Sequence, residues 1–487
     1  MSAPDPAPAV LATGRGKLIL LLLCTIAFVD FIDGSIVNVA LPAIRADLGF
    51  SVQDLQWVPS GYLLTYGGLM LLGGRAADLL GRRRVLVAGT LLFAASCLAG
   101  GLAGTPGVLV GARLAQGAGA AMMLPAALSI LTTTFRDGAE RAKALGVWGG
   151  VAGLASAVGV LAGGLLTEGP GWRWVMLVNL PFVAAALAGV LLLLPADRPA
   201  RDGRGFDAPG AALVTGGMLL LVFTLVKAPD AGWDAARTVG GLAGAAVLLA
   251  LFLLVEARTR APMLPLSILR VRGLAAADAT LLVTAAGMLS MFFFLSLYMV
   301  NVLHYSPLET GSAYLPLTLG VGISAGAASK LMTRTGTRPV LVAGLLVSAA
   351  GLYLLSRIPV DGSYPGDLLP GLLVASLGLG AVFVSVTAAA NAGVPAERAG
   401  LAAALLNASQ QIGGALGLAI FSALAASRTT GLLHDRRPVP DALTGGFQRA
   451  LLAGCLFLVA AAAIALRAGN ARGEAATETP APVPERV

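Results

Sequence analysis

Long apolar runs separated by short polar stretches recur along the chain from Leu18 to Leu466. Fourteen of them centre near Cys24, Tyr66, Phe93, Met122, Leu154, Ala185, Met218, Leu248, Ser290, Leu319, Leu345, Leu377, Gly413 and Leu458. Each is close to the roughly 20 residues that carry an α-helix across a hydrocarbon core about 30 Å thick. They are too long and too uniformly apolar for barrel strands, which alternate lipid-facing and lumen-facing positions. Lipid offers free backbone groups no partner, so each run is expected to be helical. The pattern predicts an all-α integral membrane protein with 14 spans.

The polar breaks predict orientation. Arg15 and Lys17, "GGRAADLLGRRR", "RDGAERAK", "DRPARDGR", "EARTRAPMLPLSILRVR", Lys330, Arg334, Arg338, Arg398 and the C-terminal arginines all fall on one side. That side takes most of the 33 basic residues and is expected to be cytoplasmic, with both termini there. The loop "SRTTGLLHDRRPVPDALTGGFQR" is basic yet falls on the other side. The first run follows "TGRGK" but lacks a small-residue cleavage site, so a retained span is expected rather than a signal peptide.

Composition agrees with this picture. The chain has 487 residues, 57% hydrophobic and 12% charged, where a soluble chain is about a quarter charged. Mean hydropathy is +0.84. The net charge of +8 reports topology, and no basic patch alternates with aromatic residues, so nucleic acid is not an expected partner. Cys24, Cys97 and Cys455 are scattered through apolar runs without a CxxC pair, and no disulfide is expected. Arginine outnumbers lysine and alanine and glycine abound, which suits a bacterium of high GC content.

An internal repeat adds a plan. "GRRRVLVAG" (Gly81 to Gly89) recurs as "GTRPVLVAG" (Gly336 to Gly344), each after a short basic loop and at the start of a new run. Parallel halves with a site between them is a transporter architecture. The expected division is an N-terminal six-helix bundle over 17–196, a linker with two extra spans over 197–260 and a C-terminal six-helix bundle over 261–467. The Pro- and Ala-rich tails, 1–16 and 468–487, are expected to be disordered.

Five motifs in order carry a family resemblance. They are "DGSIVNVALP" from Asp33, "GRAADLLGRR" from Gly74, "RLAQGAGAA" from Arg113, "WRWVMLVNLP" from Trp172 and "FDAPGAAL" from Phe206. Together they resemble the major facilitator superfamily, and within it the fourteen-helix drug/proton antiporter branch, from about Phe28 to Leu466. The resemblance implies two six-helix bundles with two inserted helices. It also implies a cytoplasmic gate at Gly74, Asp78, Gly81, Arg82 and Arg83. Gly74, lacking a side chain, allows close approach of a neighbouring helix. Asp78 stands at the C-terminal end of a helix, the unfavourable end for an acid, so a partner is expected: Arg82, Arg83 or a helix N-terminus of the other half. A solvated Asp78 in a topogenic loop is the plainer alternative. Thr333 takes its place in the second copy.

The fifth run, "GVWGGVAGLASAVGVLAGG", spaces small residues for close helix packing, at Gly146 and Gly150 and again at Gly159 and Gly163. Gly159, Gly163 and Gly164 resemble the antiporter motif of the family, with Val160 where that motif has proline. Gating and ordinary packing both remain open for it.

Two acids within the first run are the main chemical clue. A charge at the bilayer centre costs roughly 2.5–3.5 kcal/mol on insertion scales. Asp33 lies nine residues before Pro42 and Arg113 six after Gly107, which places both at a similar depth at about 1.5 Å per residue. Asp30 is one turn deeper on nearly the same face. Asp33, Arg113 and Asp30 are the candidates for proton coupling, against a static ion pair. Asn38, Asn407 and Gln410 are candidate polar groups of the cavity. Asp278 is expected just inside the cytoplasmic surface, where its carboxylate can snorkel, with a functional role as the alternative. "MFFFLSLY" (Met291 to Tyr298) is expected to be mostly lipid-facing bulk, with aromatic contacts to an apolar ligand as the alternative. His304 and His434 are isolated, so no metal site is expected.

No enzyme is expected: two loop histidines and three scattered cysteines supply no catalytic set. No ATP site is present and no cofactor is expected beyond the proton as coupling ion. The resemblance implies proton-coupled efflux of small amphipathic or apolar compounds, drugs or antibiotics, across the bacterial cytoplasmic membrane. The expected partners are that substrate, protons and membrane lipids, and the expected state is a monomer. Uptake symport and lipid export on the same fold are the alternatives.

Overall fold

The computed structural model describes residues 10–135, 138–195, 208–259, 273–391 and 399–470, with 262, 268, 271 and 394 between them. Among these residues the regular structure is helical, as the need to satisfy every backbone group in lipid requires. In chain order the helices are α1 (Gly14–Leu48), α2 (Val52–Leu55), α3 (Trp57–Leu80), α4 (Arg82–Gly101), α5 (Pro106–Thr134), α6 (Gly138–Glu168), α7 (Arg173–Leu177) and α8 (Asn179–Leu193). Then come α9 (Ala208–Ala231), α10 (Ala236–Arg258), α11 (Leu274–Asn301), α12 (Pro307–Ala313), α13 (Leu315–Thr335), α14 (Thr337–Leu355), α15 (Leu369–Asn391), α16 (Ala399–His434) and α17 (Val439–Ala465). Local sequence sets several ends. Thr105 accepts a hydrogen bond from the Val108 N–H with Pro106 opening α5, and Ser306 and Glu309 form a capping box on α12. Gly49 closes α1 with φ 71°, its N–H bonded to the Arg45 carbonyl.

Twelve helical segments among the described residues are long and apolar enough to cross a membrane, and the protein is a multi-pass membrane protein. The expected fourteen include α3 and α6, which are not among the twelve. In α3 the residues Ser60, Tyr62, Thr65 and Tyr66 dilute the apolar run; in α6 the stretch counted, Ala157–Glu168, is only the part whose residues are all described, and the sequence from Leu145 to Thr167 is apolar throughout. Both are packed among other helices, where a polar or glycine-rich face meets protein rather than lipid.

The ends of the bundle can be told apart by the contacts they hold. At one, here the near end, Arg15 Nη2 donates to the Leu193 carbonyl (3.0 Å) and Arg83 Nη2 to Leu191 (2.9 Å). The same end holds Thr337, Arg338 and the residues after α17: Thr337 donates to the Gly469 carbonyl (2.9 Å) and Arg338 Nε to Ala468 (2.9 Å). Both described termini therefore sit at the near end. The expected disordered tails are corrected on their inner margins. Leu11 donates its N–H to Glu140 Oε1 (2.8 Å), and Thr13 caps an α1 that starts at Gly14. Residues 1–9 and 471–487 lie outside the described residues, as do 196–207 and most of 260–272, which hold both ends of the expected linker.

The helices form two groups that also meet each other, α3 on α16 and α6 on α12. In the first, α3 and α4 lie on α5, and α1 lies on α6 and α8; in the second, α13 and α14 lie on α15, and α11 lies on α16 and α17. The repeated sequence has the same role in each. Gly81 (φ 103°) precedes α4 and Gly336 (φ 90°) precedes α14. A Cβ on Gly89 would stand 2.9 Å from the Gly119 carbonyl oxygen, and one on Gly344 would stand 3.0 Å from that of Gly378. Each copy thus seats its helix against a glycine of the next-packed helix. Between the halves, α9 lies on both α3 and α16 and carries α10 on its outer side. Lys227 Nζ pairs with Asp54 Oδ1 at 2.7 Å and fixes α9 to the first half.

The halves meet closely at the far end. Arg45 Nη1 donates to Asn301 Oδ1 (3.2 Å), and the Leu308 N–H donates to Glu168 Oε2 (3.2 Å). One buried apolar cluster runs from Ile36, Leu41 and Ile44 of α1 into Phe293, Phe294 and Tyr298 of α11. The "MFFFLSLY" stretch is therefore core, a correction to the lipid-facing expectation, because α11 is enclosed by α1, α15, α16 and α17. Toward the near end Leu145 and Leu154 of α6 and Ile323 and Leu331 of α13 are exposed.

Candidate functional site

The two acids of α1 point into the first half and meet groups brought by three other helices, α3, α5 and α8. Asp33 is completely buried and Arg113 is 1% exposed. Arg113 Nη1 lies 2.6 Å from Asp33 Oδ2. Gln116, one turn on along α5, donates Nε2 to Asp33 Oδ1 at 2.8 Å, and Asn179 at the start of α8 donates Nδ2 to the same oxygen at 3.0 Å. Arg113 also donates Nη1 to Gln116 Oε1 (2.6 Å) and Nε to the Val58 carbonyl (3.0 Å). Gln116 Nε2 lies 3.2 Å from Cys97 Sγ. Every described partner of the Asp33 carboxylate is a donor. A proton added to Asp33 would find no acceptor and would displace one of them.

Asp30 forms a second, linked cluster. Tyr62 and Tyr66, four apart on α3, donate their hydroxyls to its two oxygens, each at 2.9 Å. The Tyr62 ring also lies under the Arg113 guanidinium, 4.4 Å from Cζ to the ring centroid. Tyr62 thus bridges Asp30 and the Asp33–Arg113 pair.

The scaffold explains these positions. Trp172 Nε1 and Arg173 Nη1 both donate to Asp47 Oδ2, at 3.0 Å and 2.7 Å. They tie α7 to the far end of α1, and α8 starts immediately afterwards with Asn179 aimed at Asp33. Gly117 lets α5 lie against α3: a Cβ there would collide with the Tyr62 carbonyl and the Thr65 hydroxyl.

The other predicted residues divide. Gly159 and Gly163 seat α6 on α1, where added Cβ atoms would stand 2.7 Å from Ser35 Cβ and 2.8 Å from the Ile36 carbonyl oxygen. Gly164 instead touches the other half, 2.8 Å from the Pro307 oxygen, and Gly311 answers it against the Val160 carbonyl. Gly146 and Gly150 contact nothing at that range, so the expected close packing does not extend to the near part of α6. At the loop motif, the tight glycine is Gly73, whose Cβ would collide with the Ala121 carbonyl. Gly74 would make only an ordinary 3.7 Å contact with Pro125. The expectation for Gly74 is corrected, because the helix turns Gly73 toward α5. The Asp78 side chain lies outside the described residues. Arg82 and Arg83 line a cavity with Arg15, Thr13 and Thr133 at the near end.

Asn38 bonds back to the Gly34 carbonyl (2.8 Å) and leaves its buried Oδ1 without a partner. Asn407 bonds back to Ala403 (3.0 Å), and it and Gln410 are half-buried on α16 in the other half. None of these three joins Asp33. Asp278 does not snorkel: it is 6% exposed and neither oxygen has a hydrogen-bond partner among the described residues, because neighbouring helices cover its position. Among the described residues no three His, Cys, Asp or Glu side chains gather as a metal site. Gln116, Asn179, Tyr62, Tyr66 and Cys97 were not anticipated. Gln116 and Asn179 stood inside two of the motifs, and the signal was a polar side chain in an apolar run.

Comparison with known proteins bears on this site. The family model described as Major Facilitator Superfamily matches residues 23–418. The chain belongs to the major facilitator superfamily. It is 41% identical over 464 residues to the puromycin resistance protein pur8 of Streptomyces alboniger, covering 92% of this chain and 90% of that one. It is 38% identical to the cephamycin export protein CmcT of Amycolatopsis lactamdurans, covering 86% and 87%. It is 36% identical to the lincomycin resistance protein of Streptomyces lincolnensis, covering 89% and 90%. Solved structures share the fold. A bacterial homolog of the human lysosomal transporter Spinster, inward-facing and unoccupied, has TM-score 0.65 at 17% identity, covering 94% of this chain and 97% of that one. The POT family transporter PepTSo has TM-score 0.67 at 16% identity, covering 93% and 97%.

Proposed function

We propose that this member of the superfamily is a proton-coupled exporter of small amphipathic or apolar compounds of antibiotic type, in the fourteen-helix drug/proton antiporter branch. Its place is the bacterial cytoplasmic membrane, with the near end and both termini in the cytoplasm; the concentration of basic residues at that end supports this orientation. Relatives named for puromycin, cephamycin and lincomycin resistance or export support the substrate class. The protein works as a monomer among lipids and draws its energy from the proton gradient.

The observation that carries this reading is the Asp33 carboxylate, buried and matched, among the described residues, by the donors Arg113, Gln116 and Asn179. A buried ion pair of this kind is costly to assemble and strongly destabilising to break from one side. Its use is as a switch. Protonation from outside removes the charge that holds Arg113, frees α5 and α8 to shift against α1, and resets the carrier. Loss of the proton to the cytoplasm restores the three bonds. Asp30 tunes the pair through Tyr62. Gly164 forms the far-end seam that closes when the cavity faces the cytoplasm, Gly159 and Gly163 hold α6 to α1 beside it, and the Asp78–Arg83 loop closes the near end in the alternate state.

The test is uptake of puromycin and ethidium into sealed inside-out vesicles whose interior is made acidic, the equivalent of export from the cell. Asp33→Asn is expected to abolish proton-driven transport while the protein purifies as a single species. Undiminished transport by that variant would remove Asp33 from the coupling role.

A further inference from the structure

The second half of the molecule holds a carboxylate that the mechanism above does not use. Asp278 is the fifth residue of α11, 6% exposed, and both of its oxygens are buried without a hydrogen-bond partner among the described residues. Nearby hydroxyls do not turn to it: Thr280 donates to the Ala276 carbonyl (2.7 Å) and Thr284 to that of Thr280 (2.7 Å). Among the described residues no basic side chain forms a salt bridge with it. On the elements packed against α11, α15 carries no titratable side chain between Leu369 and Asn391. On α16, Arg428 and His434 stand at the far end, as do Asp441 and Arg449 on α17. Cys455 lies mid-way along α17, and Arg467, beyond its near end, is exposed. On α12, Glu309 is engaged in its own cap. On α1, Arg15 and Lys17 are exposed at the near end, Asp30 and Asp33 are bonded within the first half, and Arg45 and Asp47 are at the far end.

Asp278 also occupies a face that matters. Leu282, four residues on, lies where a Gly413 Cβ would collide with its carbonyl. Leu289, eleven on and on the same side of the helix, meets Gly414 at the point where Leu63 of α3 arrives from the first half. The face is thus turned to α16 and to the seam between the halves. Leu282 opposite Gly413 and Ala286 opposite Gly417 give a parallel register that sets Asp278 level with Ser409, beside Asn407 and Gln410.

We propose that Asp278 is a second proton-carrying group, one that binds a proton in the second half while Asp33 is paired with Arg113 in the first. Packing gives no reason to keep an acid where it makes no bond. Ionised, it would bear the desolvation of a buried charge with no described group to offset it; with a proton bonded to one oxygen the group is neutral and the cost falls to that of an unmatched polar group. The step is the gain of H⁺ by the carboxylate to form the acid in this far-end-closed conformation, and its release when the near end of α11 moves against α16. Two carboxylates, one in each half, then carry two protons per cycle.

Two measurements on the full-length protein test this. Infrared titration of purified protein is expected to show a carboxylic-acid carbonyl band at neutral pH that is lost in Asp278→Asn and in Asp278→Leu but kept in Asp33→Asn. Loss of an unpaired acid should leave the leucine variant at least as heat-stable as the parent, which secures a folded sample. A spectrum unchanged by both Asp278 substitutions would overturn the proposal. The second measurement rests on the export reading: in proteoliposomes loaded with ethidium, the reversal potential should give one proton fewer per ethidium in Asp278→Asn. An unaltered count with weakened ethidium binding would instead make Asp278 a site for the substrate cation, and would also overturn it. Failure of the parent protein to move ethidium with protons would sink the export reading and leave the infrared result to decide Asp278.

Discussion

The far-end seam yields the sharpest structural prediction, through Gly164→Ala. The added methyl would stand 2.8 Å from both the Pro307 oxygen and Leu308 Cα, where carbon normally needs about 3.4 Å or more. Both neighbours are backbone atoms, so no flexible side chain can swing away. Overpacking of this kind typically costs about 1–3 kcal/mol, and here only the conformation with α6 against α12 bears it. A penalty confined to one state of a two-state carrier changes the ratio of states by about 5- to 150-fold. Gly163→Ala provides the control. Its methyl would meet the Ile36 oxygen at 2.8 Å, inside the first half, so it should lower stability without favouring either state. Spin labels at Ser51→Cys and Ser312→Cys, exposed far-end positions in opposite halves, report the separation; the three native cysteines are buried. Double electron–electron resonance should show the far-end distance lengthening in Gly164→Ala and unchanged in Gly163→Ala. Identical distributions in the parent and Gly164→Ala would refute the seam as a state-specific contact.

Two further predictions concern the buried cluster. Arg113→Leu leaves the Asp33 charge without its cation and should lower stability by about 3–5 kcal/mol; adding Asp33→Asn should recover a large part, which thermal unfolding in detergent would measure as strong coupling between the two sites. Tyr62→Phe removes the hydroxyl bond to Asp30 but keeps the ring under Arg113, so it should cost about 1 kcal/mol. Tyr62→Leu loses both and should cost more and depress efflux further; equal effects of the two would argue against the bridging role of the ring.

Much of this was readable in the sequence because the bilayer imposes a simple rule. Apolar runs must be helices, and their lengths and basic flanks place the spans. Depth counting from Pro42 and Gly107 was enough to bring Asp33 and Arg113 level, and a 2.6 Å pair stands there. What counting along one helix cannot give is which helices surround it. Gln116 and Asn179 reach Asp33 only because α5 and α8 both border α1, and the Tyr62–Tyr66 pair finds Asp30 only because α3 does not face lipid. The same limit explains Gly73 and Gly74, where adjacent glycines look alike in sequence and about 100° of helix rotation decides which one meets α5. Asp278 shows it most plainly. Its distance from the helix start suggested access to water, but the burial was set by the helices around α11.

The account rests on Asp33 changing its charge during transport. Proton movement upon ethidium addition, read by a pH-sensitive dye inside proteoliposomes, addresses this directly. The parent protein should move protons opposite to ethidium, and Asp33→Asn should bind ethidium yet move none through this site. Proton movement of the same size in the two proteins would contradict the account.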